Sequence, residues 1–152
     1  MNKLAIPLAC LLILPTTAHA KDVIESVQAD VVRVIDGDTL DVEARVWVDQ
    51  RIRVKVRVDG IDTPEIRGKC ESEKILAQRA KAAAEKFVGS VVTLWNIRWG
   101  KFAGRVVATV TTAQGTLAKH LISLGLARPY SGGKRRGVVL ASSSNRRQEC
   151  CS

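Results

Sequence analysis

The segment Arg51-Ile-Arg-Val-Lys-Val-Arg57 alternates basic and apolar residues over its whole length. A period of two fits a β-strand with Ile52, Val54, Val56 and Val58 on one face and Arg51, Arg53, Lys55 and Arg57 on the other. The run before it behaves the same way, with Leu40, Val42, Ala44 and Val46 alternating against Asp41, Glu43, Arg45 and Trp47. A reversal near Asp49-Gln50 folds the two runs into a hairpin. Its ends are acidic: Asp36-Gly37-Asp38-Thr39 before the first strand and Ile61-Asp62-Thr63-Pro64-Glu65 after the second. Strands of similar length rise about 3.3 Å per residue, so the hairpin returns Asp62 to the neighbourhood of Asp38.

The rest of the chain places this hairpin in a small mixed domain. Lys21 to Ile35 ends in the β-branched run Val31-Val32-Arg33-Val34-Ile35 and predicts a first strand. A helix is predicted from Glu71 to Val88, with acids in its first turn, Lys86 in its last, Gly89 just beyond, and a stripe of Leu76, Ala80, Ala83 and Phe87. Val91 to Ile97 and Arg105 to Thr112 predict two more strands, joined by the basic, aromatic loop Arg98-Trp-Gly-Lys-Phe-Ala-Gly104. Thr116 can cap a second helix whose Leu117, Leu121 and Leu124 face the core, and residues 135–142 could form a third. Three strands, a helix, two strands and a helix predict an α+β, mainly β domain. The expected architecture is an OB-fold, a five-stranded Greek-key barrel with two to three packed helices.

The first 20 residues stand apart. A lysine start, an apolar run from Leu4 to Leu14 and Ala18-His19-Ala20 predict a secretory signal cleaved near Ala20, too short for a membrane span. The expectation is a secreted or periplasmic protein with no membrane span, likewise a monomer. It would have a single domain over 21–130 and a basic, weakly ordered tail over 131–152. The leader holds one lysine and no acid, so its removal lowers the formal charge from +9 to +8. A field of that sign favours polyanions, and the basic stretches at 51–57 and 134–136 point to nucleic acid. Three cysteines follow the leader: Cys70, Cys150 and Cys151. In an oxidising compartment Cys70 could pair with either Cys150 or Cys151.

Asp38, Asp62 and Glu65 are the acids that could meet a cation, and oxygen-only ligands select calcium, magnesium or manganese over zinc. Arg57 and Arg105 are candidate phosphate clamps, since guanidinium offers a planar fork to phosphate oxygens. His120 is the only histidine after the leader, which excludes a two-histidine ribonuclease mechanism and a histidine-rich metal site. No P-loop and no Gly-x-Ser-x-Gly elbow occurs. Glu65 is left as the general base or the holder of an attacking water.

Four stretches in order, Val34-Ile-Asp-Gly-Asp-Thr-Leu40, Val58-Asp-Gly-Ile-Asp-Thr-Pro-Glu65, Gly104-Arg105 and Leu124-Gly-Leu-Ala-Arg-Pro-Tyr130, resemble the staphylococcal nuclease (thermonuclease) family over roughly Val31 to Tyr130. The resemblance implies a calcium-dependent, sugar-nonspecific nuclease that hydrolyses DNA and RNA and leaves 3′-phosphate ends. It implies calcium bound by Asp38, Asp62 and the Thr63 carbonyl, with Asp36 acting through water. Glu65 would handle the attacking water, and Arg57 and Arg105 the scissile phosphate. Arg98, Lys101 and Tyr130 are the expected nucleic-acid contacts around it. The loop Lys101-Phe-Ala-Gly-Arg105 departs from the family's Asp-x-Tyr-Gly-Arg. A noncatalytic OB-fold module that binds single strands through a basic face and aromatics is the competing reading. It does not explain acids clustered where two arginines converge.

Overall fold

The computed structural model describes residues 26–68 and 71–132. The leader, the pairing of Cys70 with Cys150 or Cys151, the expected helix at 135–142 and the tail beyond 132 lie outside the described residues.

The two alternating runs form the hairpin they predict. Strand β2 (Thr39–Trp47) pairs antiparallel with β3 (Gln50–Val58), in a register that sets Thr39 opposite Arg57 and Val42 opposite Val54. The reversal uses Asp49 at φ 58°, a left-handed conformation that aspartate tolerates better than most side chains. Strand β1 (Ser26–Asp36) pairs with β2 on one side and, on the other, with β5 (Val91–Trp99), which follows the short β4 (Ile61–Asp62) and helix α1 (Glu71–Val88). Next comes β6 (Arg105–Thr112), antiparallel to β5. It closes the sheet by pairing parallel with β3 from Lys55↔Arg105 to Val58↔Ala108. The result is a closed five-stranded barrel with two helices, an OB-fold. Three two-residue strands were not expected: β4, β7 (Gly115–Thr116) and β8 (Arg128–Pro129). They are too short to show a period.

The inward faces of the barrel bury Leu40, Val42, Val56, Val58, Leu94 and Val110. Helix α1 adds Ala77, Ala80, Ala84, Phe87 and Val88, so its buried stripe is rotated from the expected one, and Leu76 and Ala83 are only half-buried. Small alanines let the helix axis approach the barrel, and the larger Leu76 takes the flank. Helix α2 (Leu117–Ser123) buries Leu117 and Leu121, but Leu124 is exposed and Leu126 is buried instead. Gly125, at φ 66°, turns the chain by that one step. Thr116 occupies the N-cap without a capping side-chain hydrogen bond, contrary to expectation. His120 stacks on Phe87 with ring centroids 4.4 Å apart, which ties α2 to α1 and accounts for this histidine structurally.

The outer face of the hairpin is partly neutralised by arginine–aspartate pairs, four arginines sharing two aspartates. Arg53 donates to Asp41 at 2.9 and 3.2 Å and Arg33 at 3.1 Å, while Arg45 and Arg51 both meet Asp30. The Arg53 hydrogen bond, with Arg33 adding to it, holds the Asp41 carboxyl below its ordinary value against the opposing effect of burial. A depressed carboxyl pKa stabilises the fold above the unfolded-state value, and that stabilisation fades as pH falls through the folded-state value. Asp41→Asn should therefore lower the urea midpoint at pH 7. The gap to the parent should close on acidification below the ordinary carboxyl value of 3.8. A gap that stays constant across that range would show the pair contributes nothing.

Candidate active site

The two acidic ends of the hairpin meet at one end of the barrel. Asp36 closes β1, Gly37 and Asp38 make the turn, and Thr39 opens β2, so the turn lies one strand away from Arg57 near the end of β3. The Val58 N–H donates to the Asp38 carbonyl at 2.8 Å, which locks the turn to β3. Past Val58 the chain reverses at Asp59-Gly60, with Gly60 at φ 77°, and enters β4. There Asp62 is held against Arg128 of β8 by the β4–β8 pairing. Thr63, Pro64 and Glu65 follow on the way to α1.

Two carboxylates are almost wholly buried here: Asp38 and Asp62, each 3% exposed. Burying a charge is costly unless it is paired and hydrogen-bonded, and both are. Arg57 spans them, with Nη1 2.9 Å from Asp38 Oδ2 and Nη2 3.0 Å from Asp62 Oδ1, and it also donates to the Ile61 carbonyl at 3.3 Å. Asp38 accepts further from the Thr39 hydroxyl at 2.9 Å and the Thr63 N–H at 3.2 Å. Arg128 holds the other oxygen of Asp62, with Nη2 at 2.8 Å and Nε at 3.3 Å.

A cavity of about 500 Å³ opens over this cluster. Its walls carry Asp36, Asp38, Thr63 and Glu65 together with Lys55, Arg57, Arg67 and Arg105. Burial first, and the nearby Asp38 carboxylate second, push the Asp36 carboxyl above its ordinary value. Two buried side-chain atoms in these walls have no hydrogen-bond partner: the Arg105 Nε and the Thr63 Oγ1. Leaving a buried guanidinium donor unpaired has a large desolvation penalty, which makes the Arg105 Nε a candidate contact for an oxygen ligand.

Arg105 also faces a second, wider groove of about 1120 Å³, shared with Arg57 and lined by Arg98, Trp99, Lys101, Phe102 and Tyr130. Its guanidinium carbon lies 4.8 Å from the centre of the Phe102 ring. Trp99 and Phe102 are 81% and 65% exposed, unusual for rings this large. Lys101 and Tyr130 stand in the groove wall. Arg98 stands in the same wall and also grips Asp59 through both oxygens at 2.9 and 2.6 Å, which braces the groove. Its hydrogen bond holds the Asp59 carboxyl below the ordinary range. A break in register between Trp95 and Arg98, with Asn96 at φ 53°, is the bulge that turns Arg98 toward Asp59.

The structure thus brings Asp36, Asp38, Arg57, Asp62, Thr63, Glu65 and Arg105 to one place and sets Lys101 and Tyr130 beside it. Lys55, Trp99, Phe102 and Arg128 were missed as site residues. Lys55 was legible as a strand-face base two residues from Arg57, and the two rings as aromatics in a basic loop. Arg128 lies in the Leu124–Tyr130 stretch that carries the resemblance, but nothing there gave its role, because its proximity to Asp62 depends on pairing across 66 residues.

A closed barrel whose one end gathers buried carboxylates and arginines beneath a basic, aromatic groove is an OB-fold with a candidate site for a polyanion. Residues 55–142 match the family model described as staphylococcal nuclease homologue, which is more than half of the chain, and the chain belongs to that family. The match includes Arg57, Asp62, Thr63, Glu65 and Arg105 and begins after Asp36 and Asp38, which the hairpin delivers to the same cavity. No curated protein matches the chain. Among the described residues no helix is long and apolar enough to cross a membrane.

Proposed function

We propose that the protein is a secreted or periplasmic, calcium-dependent nuclease that hydrolyses phosphodiester bonds in both DNA and RNA. The observation that carries this reading is the shared guanidinium bridge: Arg57 joins two buried carboxylates, while the buried Arg105 Nε beside it has no partner. A binding module has no use for acids that repel phosphate. A hydrolase needs them to hold a cation or a water against the substrate.

The donor chemistry favours calcium, while among the described residues no group of three or more Asp, Glu, His or Cys side chains is placed to hold an ion. The donor set offers oxygen atoms only, from Asp38, Asp62 and Thr63, with the unpartnered Thr63 Oγ1 at the cavity wall. In this reading Asp38, Asp62 and the Thr63 carbonyl would hold the ion, and Asp36 would contribute through water. When bound, calcium neutralises phosphate charge and increases the acidity of water beside it. The chain's own residues do the rest. Arg57 and Arg105 fork onto the phosphate oxygens and stabilise the extra negative charge of the five-coordinate transition state. Glu65 orients the attacking water and takes its proton. The bond from phosphorus to the 5′ oxygen breaks, the departing oxygen takes up a proton from Glu65 or from solvent, and a 3′-phosphate and a 5′-hydroxyl remain. The strand continues into the wider groove, where Trp99, Phe102 and Tyr130 offer faces for unpaired bases and Lys101 meets the backbone.

The test is hydrolysis of heat-denatured DNA and of RNA by the purified protein with calcium, with magnesium and with chelator, beside Asp38→Asn. Cleavage of both polymers that requires calcium and disappears in the variant is expected. Binding without cleavage under every metal would replace this reading with the noncatalytic single-strand module.

A further inference from the structure

We infer that Arg128 is a positioning residue for the cation site, holding Asp62 in place so that Arg57 can leave it for substrate. The inference rests on the calcium reading above and adds a residue that the sequence did not single out.

Asp62 is served by two arginines from different parts of the fold. Arg57 Nη2 takes Oδ1 at 3.0 Å, and Arg128 takes Oδ2 through both Nη2 and Nε at 2.8 and 3.3 Å. The two are not equivalent. Arg57 lies on the wall of the cavity that would hold phosphate, and it spans both acidic ligands, so cation and guanidinium compete for the same carboxylate oxygens. Binding of a cation and a phosphate would draw Arg57 away from Asp62. Neither Arg128 nor Asp62 lines that cavity, so this pair stands behind Arg57, and Arg128 takes Oδ2 of Asp62 where Arg57 takes Oδ1. It sits directly opposite Asp62 in the β4–β8 pair, where facing residues share one side of the ribbon. Leucine-rich α2 and Gly125 deliver β8 to this place, and the Tyr130 N–H donates to the Gly60 carbonyl at 2.9 Å, fastening the strand on its far side. Arg128 therefore keeps one oxygen of Asp62 fixed while the other is exchanged between Arg57 and the cation. Groups that orient a metal ligand in this way typically change metal affinity by about 10 to 100-fold when removed.

Electrostatics alone predicts the opposite sign. Removing a positive charge beside a cation ligand should tighten cation binding; removing the fork that orients the ligand should weaken it. Arg128→Lys separates the two, because it keeps the charge and loses the planar fork. Calcium affinity would be measured by calorimetry on the full chain, with kcat and KM on denatured DNA, for the parent, Arg128→Lys, Asp62→Asn and the double variant. The expected result is calcium binding about tenfold weaker in Arg128→Lys, with kcat at saturating calcium and KM for DNA close to the parent. In the Asp62→Asn background the same substitution should add nothing further. Parent-like calcium affinity in Arg128→Lys, or a full effect that persists without Asp62, overturns the inference alone. A parent chain that binds no calcium overturns the calcium reading and this inference with it. Should Arg128→Lys fail to fold, Arg128→Met carries the test: weaker calcium binding supports positioning, and tighter binding overturns it.

Discussion

Arg57→Ala is expected to lower the turnover of denatured DNA by about two to three orders of magnitude, the range seen when one preorganised donor to a transition-state oxyanion is lost. The same substitution should destabilise the fold. It removes the shared partner of two carboxylates that are each 3% exposed, and breaking one side of a buried ion pair costs about 3–5 kcal/mol. Asp62 keeps Arg128, and Asp38 keeps only the neutral Thr39 hydroxyl and Thr63 N–H among the contacts described above, so most of the penalty falls on Asp38. Calcium should then stabilise Arg57→Ala by more than it stabilises the parent, because the ion replaces the missing positive charge between the same acids. Urea unfolding with and without calcium, alongside initial rates, checks both halves. Near-parent turnover would remove Arg57 from the mechanism, and equal calcium stabilisation of both proteins would place the ion elsewhere.

Gly37→Ala should also lower both stability and turnover, by less than Arg57→Ala, without removing any charged or polar group. A Cβ at this position would stand 2.8 Å from the Ala80 Cβ and 3.1–3.2 Å from the Thr63 side chain. Ala80 is fully buried on α1 and has no rotamer by which to yield, so either the helix or the turn must shift. Overpacking of this kind costs about 1–3 kcal/mol. The shift falls on the residues that flank the glycine, Asp36 and Asp38, and displacing ligands by a fraction of an ångström weakens both calcium binding and hydrolysis. A variant with parent-like unfolding midpoint and parent-like rate would mean α1 moves freely, and would contradict the close contact of the turn with the helix.

Much of this architecture was legible because it is local. The period of two from Leu40 to Val46 and from Ile52 to Val58 fits a hairpin with one apolar face, and the observed register keeps those faces together. The acids at Glu71 and Glu73, Lys86 near the end and Gly89 beyond bound α1 at its observed limits, since each residue acts on its own turn of helix. Which stripe of that helix is buried was less legible. Leu76 is more hydrophobic than Ala77, and sequence favours it; the barrel surface instead admits the alanines because they allow closer approach. Leu124 failed for a related reason, as Gly125 moves the chain onto a new path and passes burial to Leu126.

The sequence by itself determined the hairpin and the bounds of α1, and it pointed to Asp36, Asp38, Glu65, Arg57 and Arg105, which line the cavity, but not to Arg67 beside them. These rest on periodicity, turn chemistry and the strand rise, quantities that involve neighbours a few residues apart. Only the tertiary structure decided how those groups share one another. That Arg57 bridges Asp38 and Asp62, that Arg98 is committed to Asp59, and that Arg128 reaches Asp62 across 66 residues all depend on barrel closure and on the β4–β8 pairing. Ion pairing is decided over a few ångströms, and no pattern along the chain specifies distances that small between residues so far apart.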